Sequence, residues 1–136
     1  MKKTLAFLAL ATVLLLASCS KKGKIQPQSK IAATVTGSWK GSVNNTVEGT
    51  SYYVSFMLKQ SADSITGIFL TYAANGNVKG SLSTDSVFLT LIPAASSGYT
   101  EVDTFKGILN TTSAEISGTF KSTTPGISGT FNIKKQ

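Results

Sequence analysis

The stretch Ile116-Ser117-Gly118-Thr119-Phe120 is followed by a second stretch with the same letters, Ile127-Ser128-Gly129-Thr130-Phe131. In both stretches apolar residues and glycine alternate with Ser and Thr, and this period of two predicts β-strands with one face buried. Between them lies Thr124-Pro125-Gly126, a combination typical of a tight turn. The two stretches therefore predict neighbouring antiparallel strands.

The same spacing, an apolar residue on either side of a central glycine, recurs upstream. It occurs as Trp39-Gly41-Val43, Ile65-Gly67-Phe69, Val78-Gly80-Leu82 and Phe105-Gly107-Leu109. Two alternating runs without glycine, Val54-Phe56-Leu58 and Val87-Leu89-Leu91, bring the number of strands to eight. Eight short strands with mostly tight turns predict an all-β fold, an eight-stranded antiparallel up-and-down β-barrel, because closure removes unpaired edges.

The central glycines share the apolar face and so belong inside the barrel. Glycine weakens a strand, so its repetition needs a reason. The glycines either let the sheet coil tightly while aromatic residues fill the interior, or they form the floor of a cavity with aromatic walls. A transmembrane barrel is not predicted, because it would turn its apolar face outward.

The N-terminal residues carry a pattern of a different kind. Two lysines precede an apolar run, Leu5 to Leu15, which is too short to span a bilayer and ends in Leu16-Ala17-Ser18-Cys19. This tetrapeptide resembles the lipobox of bacterial lipoproteins. The resemblance implies cleavage before Cys19, lipidation of its thiol and a membrane anchor.

We therefore predict three segments: a lipoprotein signal peptide over 1–18, a lipidated and flexible lysine-rich tether over 19–34, and the β-barrel domain over 35–136. The tether lysines either lie against anionic head groups or keep a solvated spacer soluble. Ser20, directly after the lipidated Cys, resembles an outer-membrane sorting signal. The resemblance implies a lipid-anchored protein of the cell envelope, in the outer membrane and facing the periplasm.

The formal charge of +7 does not belong to the barrel. Most lysines lie before Thr36 or after Ile133, and the segment between these two residues is nearly neutral. It holds five lysines, Lys40, Lys59, Lys79, Lys106 and Lys121, against six acids, Glu48, Asp63, Asp85, Glu101, Asp103 and Glu115. Nucleic-acid binding, which needs a basic surface, is not predicted.

The composition also argues against catalysis. The chain has no His and no Arg, and its single Cys is assigned to the lipid. Glu101 and Asp103 share the face of Phe105 near one barrel mouth, where two carboxylates could serve glycoside hydrolysis or could be solvated rim residues. We predict rim residues, no enzyme, no cofactor and no metal site.

The predicted ligand site combines these rim acids, which favour a cationic or hydroxylated head group, with aromatic walls. It comprises Trp39, Phe69, Phe105, Phe120, Phe131, Glu101 and Asp103.

A second set of apolar residues is predicted to point outward: Ile68, Leu70, Tyr72, Phe88, Ile92 and Ile108. These are either scattered surface residues or a contact surface, with a homodimer forming through Ile68, Leu70 and Phe88.

Gly37-Ser38-Trp39 at the start of an eight-stranded meander resembles the calycins, the lipocalin and avidin group of barrels. The resemblance implies that Trp39 closes one end of the barrel. Lipocalins pack an Arg over that Trp, and Lys134 is the predicted substitute here. The leading function is a membrane-anchored, periplasm-facing lipoprotein that binds a small apolar or amphipathic ligand in its barrel.

Two other functions stay open. Ser97-Gly98-Tyr99 is similar to a loop of the membrane-bound lysozyme-inhibitor lipoproteins, which implies an interaction or inhibitor protein that acts through its loops. The other alternative is a structural envelope component without a ligand.

The lipid anchor gives the first testable prediction. Replacing Cys19 with Ser removes the thiol that would carry the lipid, so we expect Cys19→Ser to move the protein from the membrane fraction to the soluble fraction. Fractionation followed by mass measurement of the mature N-terminus checks this, with Ser20→Ala as the control that keeps the thiol. A cleaved Cys19→Ser protein that still sediments with membranes would contradict the prediction.

Overall fold

The computed structural model describes residues 34–112 and 114–136, so the predicted signal peptide and Cys19 lie outside the described residues. The strands are β1 (Gly37–Asn45), β2 (Thr50–Ser61), β3 (Ser64–Thr71), β4 (Asn75–Ser83), β5 (Ser86–Pro93), β6 (Asp103–Asn110), β7 (Glu115–Ser122) and β8 (Ser128–Lys135). A short 3-10 helix, Ala95–Ser97, lies between β5 and β6. No helix in the described part of the chain is long and apolar enough to cross a membrane.

The eight strands form one closed barrel. Each strand pairs antiparallel with the next, and β1 pairs antiparallel with β8 from Trp39 opposite Lys135 to Asn45 opposite Gly129. This confirms the prediction of an all-β, eight-stranded, up-and-down barrel. Each strand therefore has a neighbour on both sides, and such closure removes the exposed edge strands that allow edge-to-edge aggregation.

The predicted period of two matches the burial along the strands. The apolar residues that flank the central glycines are buried, except for the half-buried Ile127, while Ser117 and Thr119 are exposed. One boundary differs from the prediction. Ile127 lies in a turn before β8, because Gly126 takes a positive φ of 83° and the Ile127 amide donates to the Thr124 carbonyl at 3.3 Å.

The central glycines allow neighbouring strands to approach closely. A Cβ atom at Gly118 would overlap the backbone carbonyl of Lys106 on β6, and one at Gly129 would overlap that of Asn44 on β1. At Gly107, which is paired with Gly118, the Cζ atom of Phe131 lies 2.8 Å from the place of a Cβ. These contacts agree with the first interpretation of the glycines, tight coiling around a filled interior.

Four phenylalanines fill the middle of the barrel. The ring of Phe105 lies at the centre, with ring centroids 4.8 Å from Phe131, 5.5 Å from Phe120 and 6.1 Å from Phe56. All four side chains are buried. Their tilted and edge-on contacts suit the aromatic quadrupole and hold the rings in one arrangement.

Trp39 closes one end of the barrel, and its side chain is only 1% exposed. Its indole Nε1 donates to the carbonyl of the buried Val35 at 2.7 Å, and the Val35 amide donates to Oε1 of Gln60 at 3.0 Å. The segment before β1 is thereby held under the barrel. The indole therefore has a hydrogen-bond partner although it is buried.

The cation beside Trp39 is Lys135, and the prediction of Lys134 is wrong. Lys135 Nζ lies 5.8 Å from the Trp39 ring centroid, a distance compatible with a cation–π contact. Lys134 points to the outer face, where its Nζ lies 3.8 Å from Oε2 of Glu115. The reason is the strand alternation, since Phe131, Ile133 and Lys135 share the inner face of β8.

The close strand contacts give a prediction about stability. Gly118→Val and Gly129→Val would push side-chain atoms into the backbone of the neighbouring strand, so we expect each to lower the free energy of unfolding by about 1–3 kcal/mol. Urea denaturation measures the loss. Thr119→Val, which adds an apolar group at an exposed position of the same strand, is the control. Losses near zero for the glycine variants would contradict the close packing.

Candidate functional site

The end opposite Trp39 is an open mouth in which the inner face becomes polar. At this end of five strands the inner face carries Asn45, Tyr52, Thr71, Asp103 and Ser122, and all five line a pocket of about 280 Å³. The apolar part of its lining includes Val54, Phe69, Leu91 and Phe105. The mouth thus has an apolar floor and a polar rim, the usual make-up of a small-molecule site.

The connection between β1 and β2 is fixed by Asn45. Its buried side chain accepts hydrogen bonds at Oδ1 from the amides of Val47 at 3.0 Å and Glu48 at 3.2 Å, as in an Asx-turn. Its Nδ2 donates to Oε2 of Glu48 at 3.0 Å. The same side chain therefore shapes the loop and holds the Glu48 carboxylate at the rim.

The connection between β3 and β4 has an equivalent residue in Thr71. Its Oγ1 accepts from the amide of Ala74 at 2.9 Å and donates to the Ala74 carbonyl at 3.1 Å. This compact turn carries Tyr72, whose ring centroid lies 6.3 Å from that of Tyr52 at an interplanar angle of 67°. Two tyrosine rings therefore stand together on one side of the mouth.

The long connection between β5 and β6 carries the third rim tyrosine. Ser97 Oγ donates to the Ala94 carbonyl at 2.7 Å and accepts from the Tyr99 amide at 3.3 Å. Gly98 between them has a positive φ of 74°, which glycine adopts without strain. These contacts place Tyr99 at the pocket.

Two further hydrogen bonds fix the end of the same connection that contains Glu101 and Asp103. Val102 donates its amide to Thr123 Oγ1 at 3.0 Å, and its carbonyl accepts from the Thr123 amide at 2.9 Å. Ser122, also buried, shares a hydrogen bond with the Asp103 side chain and accepts from the Thr124 amide at 3.3 Å. Glu101 and Asp103 are thus held against the β7–β8 connection.

The half-buried groups at the mouth have perturbed acidities. Burial raises the pKa of the Asp103 carboxyl, the hydrogen bond with Ser122 partly offsets this, and the nearby Glu101 charge adds to it. Burial also raises the pKa of the Tyr52 phenol strongly, with further contributions from Asp103 and Tyr72. Burial is the larger cause of both shifts, and the nearby carboxylates of Glu101 and Asp103 add a smaller electrostatic contribution in the same direction.

The structure brings part of the predicted ligand site together. Phe69, Phe105, Glu101 and Asp103 line the mouth pocket. Trp39, Phe120 and Phe131 are not among its lining residues; Phe120 and Phe131 pack in the aromatic core and Trp39 closes the far end. The role of all seven residues in binding a ligand stays a prediction.

The rim residues that sequence reasoning missed include one acid, Glu48, and three tyrosines, Tyr52, Tyr72 and Tyr99. The sequence does contain a signal for Tyr52, because it lies two residues before Val54 and so continues the alternation of Val54, Phe56 and Leu58 on the inner face. Tyr72 is exposed as predicted, but it follows the end of β3 and reaches the mouth. The alternation along a strand does not predict where residues between strands, such as Tyr72 and Tyr99, will lie.

The outer apolar residues fall into separate groups. Ile68 and Leu70 on β3 adjoin the exposed Met57 on β2. Phe88 lies on β5 beside a shallow outer groove of about 450 Å³, with Lys106 Nζ 5.5 Å from its ring centroid. The predicted homodimer through Ile68, Leu70 and Phe88 stays a prediction, and its residues do not form one continuous row.

Comparison of the chain with protein-family models, with curated proteins and with solved structures found no match. Within residues 34–112 and 114–136, no three His, Cys, Asp or Glu side chains lie close enough together to hold a metal ion.

The raised pKa of Asp103 predicts a dependence of stability on pH. A carboxyl whose pKa is higher in the folded than in the unfolded state makes folding less favourable once the pH exceeds its ordinary value of 3.8. We therefore expect Asp103→Asn, which keeps an acceptor for Ser122, to raise the melting temperature at pH 7. The gain should shrink as the pH falls towards 3.8, because a growing share of the wild-type carboxyl is then protonated.

Thermal unfolding of both proteins between pH 4 and pH 7 checks this expectation. Asp85→Asn, in the exposed β4–β5 turn, is the matched control and should change the melting temperature little at either pH. A variant at Asp103 that is less stable than the wild type at pH 7 would show that the carboxylate stabilises the mouth.

Proposed function

We propose that this protein is a lipid-anchored lipoprotein that binds a small apolar or amphipathic molecule at the open mouth of its barrel. The observation that carries the proposal is the mouth pocket of about 280 Å³, with Val54, Phe69, Leu91 and Phe105 beneath a polar rim. Such a volume suits a small ligand, because drug-sized pockets begin at about 300 Å³. The apolar floor favours burial of a hydrocarbon or aromatic group.

The arrangement of the two ends supports a calycin-like barrel. Trp39 follows the Gly-x-Trp spacing and lies at the closed end, and the pocket lies at the other end. In this proposal Trp39, Phe120 and Phe131 support the site by filling the barrel below it. Phe69, Phe105, Glu101 and Asp103 contact the ligand.

The proposed location rests on the N-terminal sequence. Cys19 as the lipidated residue and the preceding signal support a protein of the cell envelope, in the outer membrane and facing the periplasm.

A second candidate is an interaction protein, supported by exposed apolar residues. Tyr53, Met57, Ile68 and Leu70 are exposed on the outer faces of β2 and β3, and Tyr99 is exposed at the mouth. Exposed apolar groups that lie together are typical of contact surfaces, for a second copy or for another protein. A structural envelope role without any ligand is the remaining alternative.

Binding to the purified protein tests the leading proposal. We expect at least one of decanoate, a lysolipid and benzylamine to bind saturably with one site per chain in isothermal titration calorimetry. Thr50→Phe adds a ring at the rim of the pocket and should weaken that binding by more than about tenfold, or about 1.4 kcal/mol.

Thr66→Phe adds the same ring on the exposed face of β3 and is the control, which should bind like the wild type. Binding that Thr50→Phe leaves unchanged would place the site elsewhere. If none of the three compounds binds, the leading proposal fails for these ligand classes and the interaction protein becomes the better candidate.

A further inference from the structure

The charges at the mouth have one sign. Every charged residue that lines the pocket is acidic, namely Glu48, Glu101 and Asp103. In the part of the chain that the structure describes, the ion pair joins Lys134 to Glu115, neither of which lines the pocket. Within residues 34–112 and 114–136, no lysine forms an ion pair with these three carboxylates, so an incoming cation would find an attractive potential.

Aromatic side chains line the same pocket as these carboxylates. Tyr52, Tyr72 and Tyr99 all line the pocket, and the first two rings meet edge to face at 6.3 Å. A cation within about 6 Å of an aromatic ring centroid is attracted by the negative face of the ring. Aromatic rings next to carboxylates are the combination that recognises ammonium groups, because the rings also contact the methyl or methylene groups around the nitrogen.

The turns around the mouth hold these groups in place before any ligand arrives. Asn45 bonds the Glu48 carboxylate, Thr71 shapes the turn that carries Tyr72, and Ser97 holds the Tyr99 amide. Asp103 shares a hydrogen bond with the buried Ser122. A site whose polar groups are already positioned loses less entropy on binding.

The apolar floor and the size of the pocket limit the size of a ligand. Phe69 and Phe105 lie at the base of the pocket, and its volume of about 280 Å³ has room for little more than one ring or a short alkyl chain beside a head group. A phosphate next to the ammonium group, as in a phospholipid headgroup, would be repelled by the rim carboxylates.

We infer that the mouth pocket is selective for a small organic cation, a protonated amine or quaternary ammonium group carried directly on an apolar body. This inference rests on the proposed ligand-binding function and names the chemical class of its ligand. The apolar body lies on the floor, and the cationic group lies among the tyrosine rings and the carboxylates of Glu101 and Asp103.

Three compounds that share one ring and differ in charge test the inference. Benzylamine is cationic at pH 7, benzyl alcohol is neutral and benzoate is anionic, and the purified full chain is titrated with each by NMR. We expect benzylamine to bind about tenfold more tightly than benzyl alcohol, with benzoate weakest. The shifts should cluster in the connections that contain Glu48, Tyr72, Tyr99 and Thr123. The preference for benzylamine should shrink as salt is added.

Variants that remove the carboxylates test whether the preference for benzylamine depends on their charge. Glu101→Gln combined with Asp103→Asn should reduce the preference for benzylamine to less than about threefold while benzyl alcohol binds as before. Asp85→Asn, an acid at the other end of the barrel, is the control and should keep the full preference. Lysophosphatidylcholine below its micelle concentration represents a lipid headgroup and should bind more weakly than trimethylphenylammonium.

The outcomes distinguish this inference from the proposed function. Equal binding of benzylamine and benzyl alcohol, or tighter binding of benzoate, overturns the selectivity for cations and leaves a pocket for apolar ligands. Tighter binding of lysophosphatidylcholine overturns the small amine in favour of a lipid headgroup. No shifts at the mouth with any compound overturn the inference together with the ligand-binding proposal.

Discussion

The close approach of neighbouring strands at the central glycines determines most of this molecule. At Gly118 and Gly129 a Cβ atom would overlap the backbone of the adjacent strand, so the sheet coils as tightly as eight strands do in a small barrel. A barrel this narrow has no room for a central channel once Phe105 and its three aromatic neighbours occupy the middle. The mouth pocket accordingly lies at the end of the barrel, where the strands lead into their connections.

The two ends of the barrel differ in what covers the core. At the closed end one buried indole, bonded to the Val35 carbonyl, and the stem of Lys135 cover the core. At the mouth the inner face carries polar side chains, each of which shapes a turn or fixes a neighbouring side chain, as Asn45 and Thr71 do. The half-buried Asp103 stands out because its surroundings disfavour its charge.

The fold could be predicted almost completely from the sequence, because alternation and glycine spacing are properties of single strands that survive in the assembled sheet. The same alternation, extended along β8, would have placed Lys135 rather than Lys134 beside Trp39. The mouth was harder to predict. Tyr72 and Tyr99 reach the pocket through turns that Thr71 and Ser97 stabilise by side-chain hydrogen bonds, and these depend on local geometry that periodicity does not encode. The two rim acids were predicted because they continue the alternation of β6.

The pairing of β1 with β8 has a consequence for how the chain folds. Seven of the eight pairings join strands that are neighbours in sequence, so each can form as a local hairpin. The eighth brings Trp39 opposite Lys135 and requires the whole intervening chain to close on itself. Until this last pairing forms, β1 and β8 both have open edges that can pair with another chain. We therefore expect ring closure to be the slow, aggregation-sensitive step, and a factor that shields either edge strand to raise the yield of native barrel.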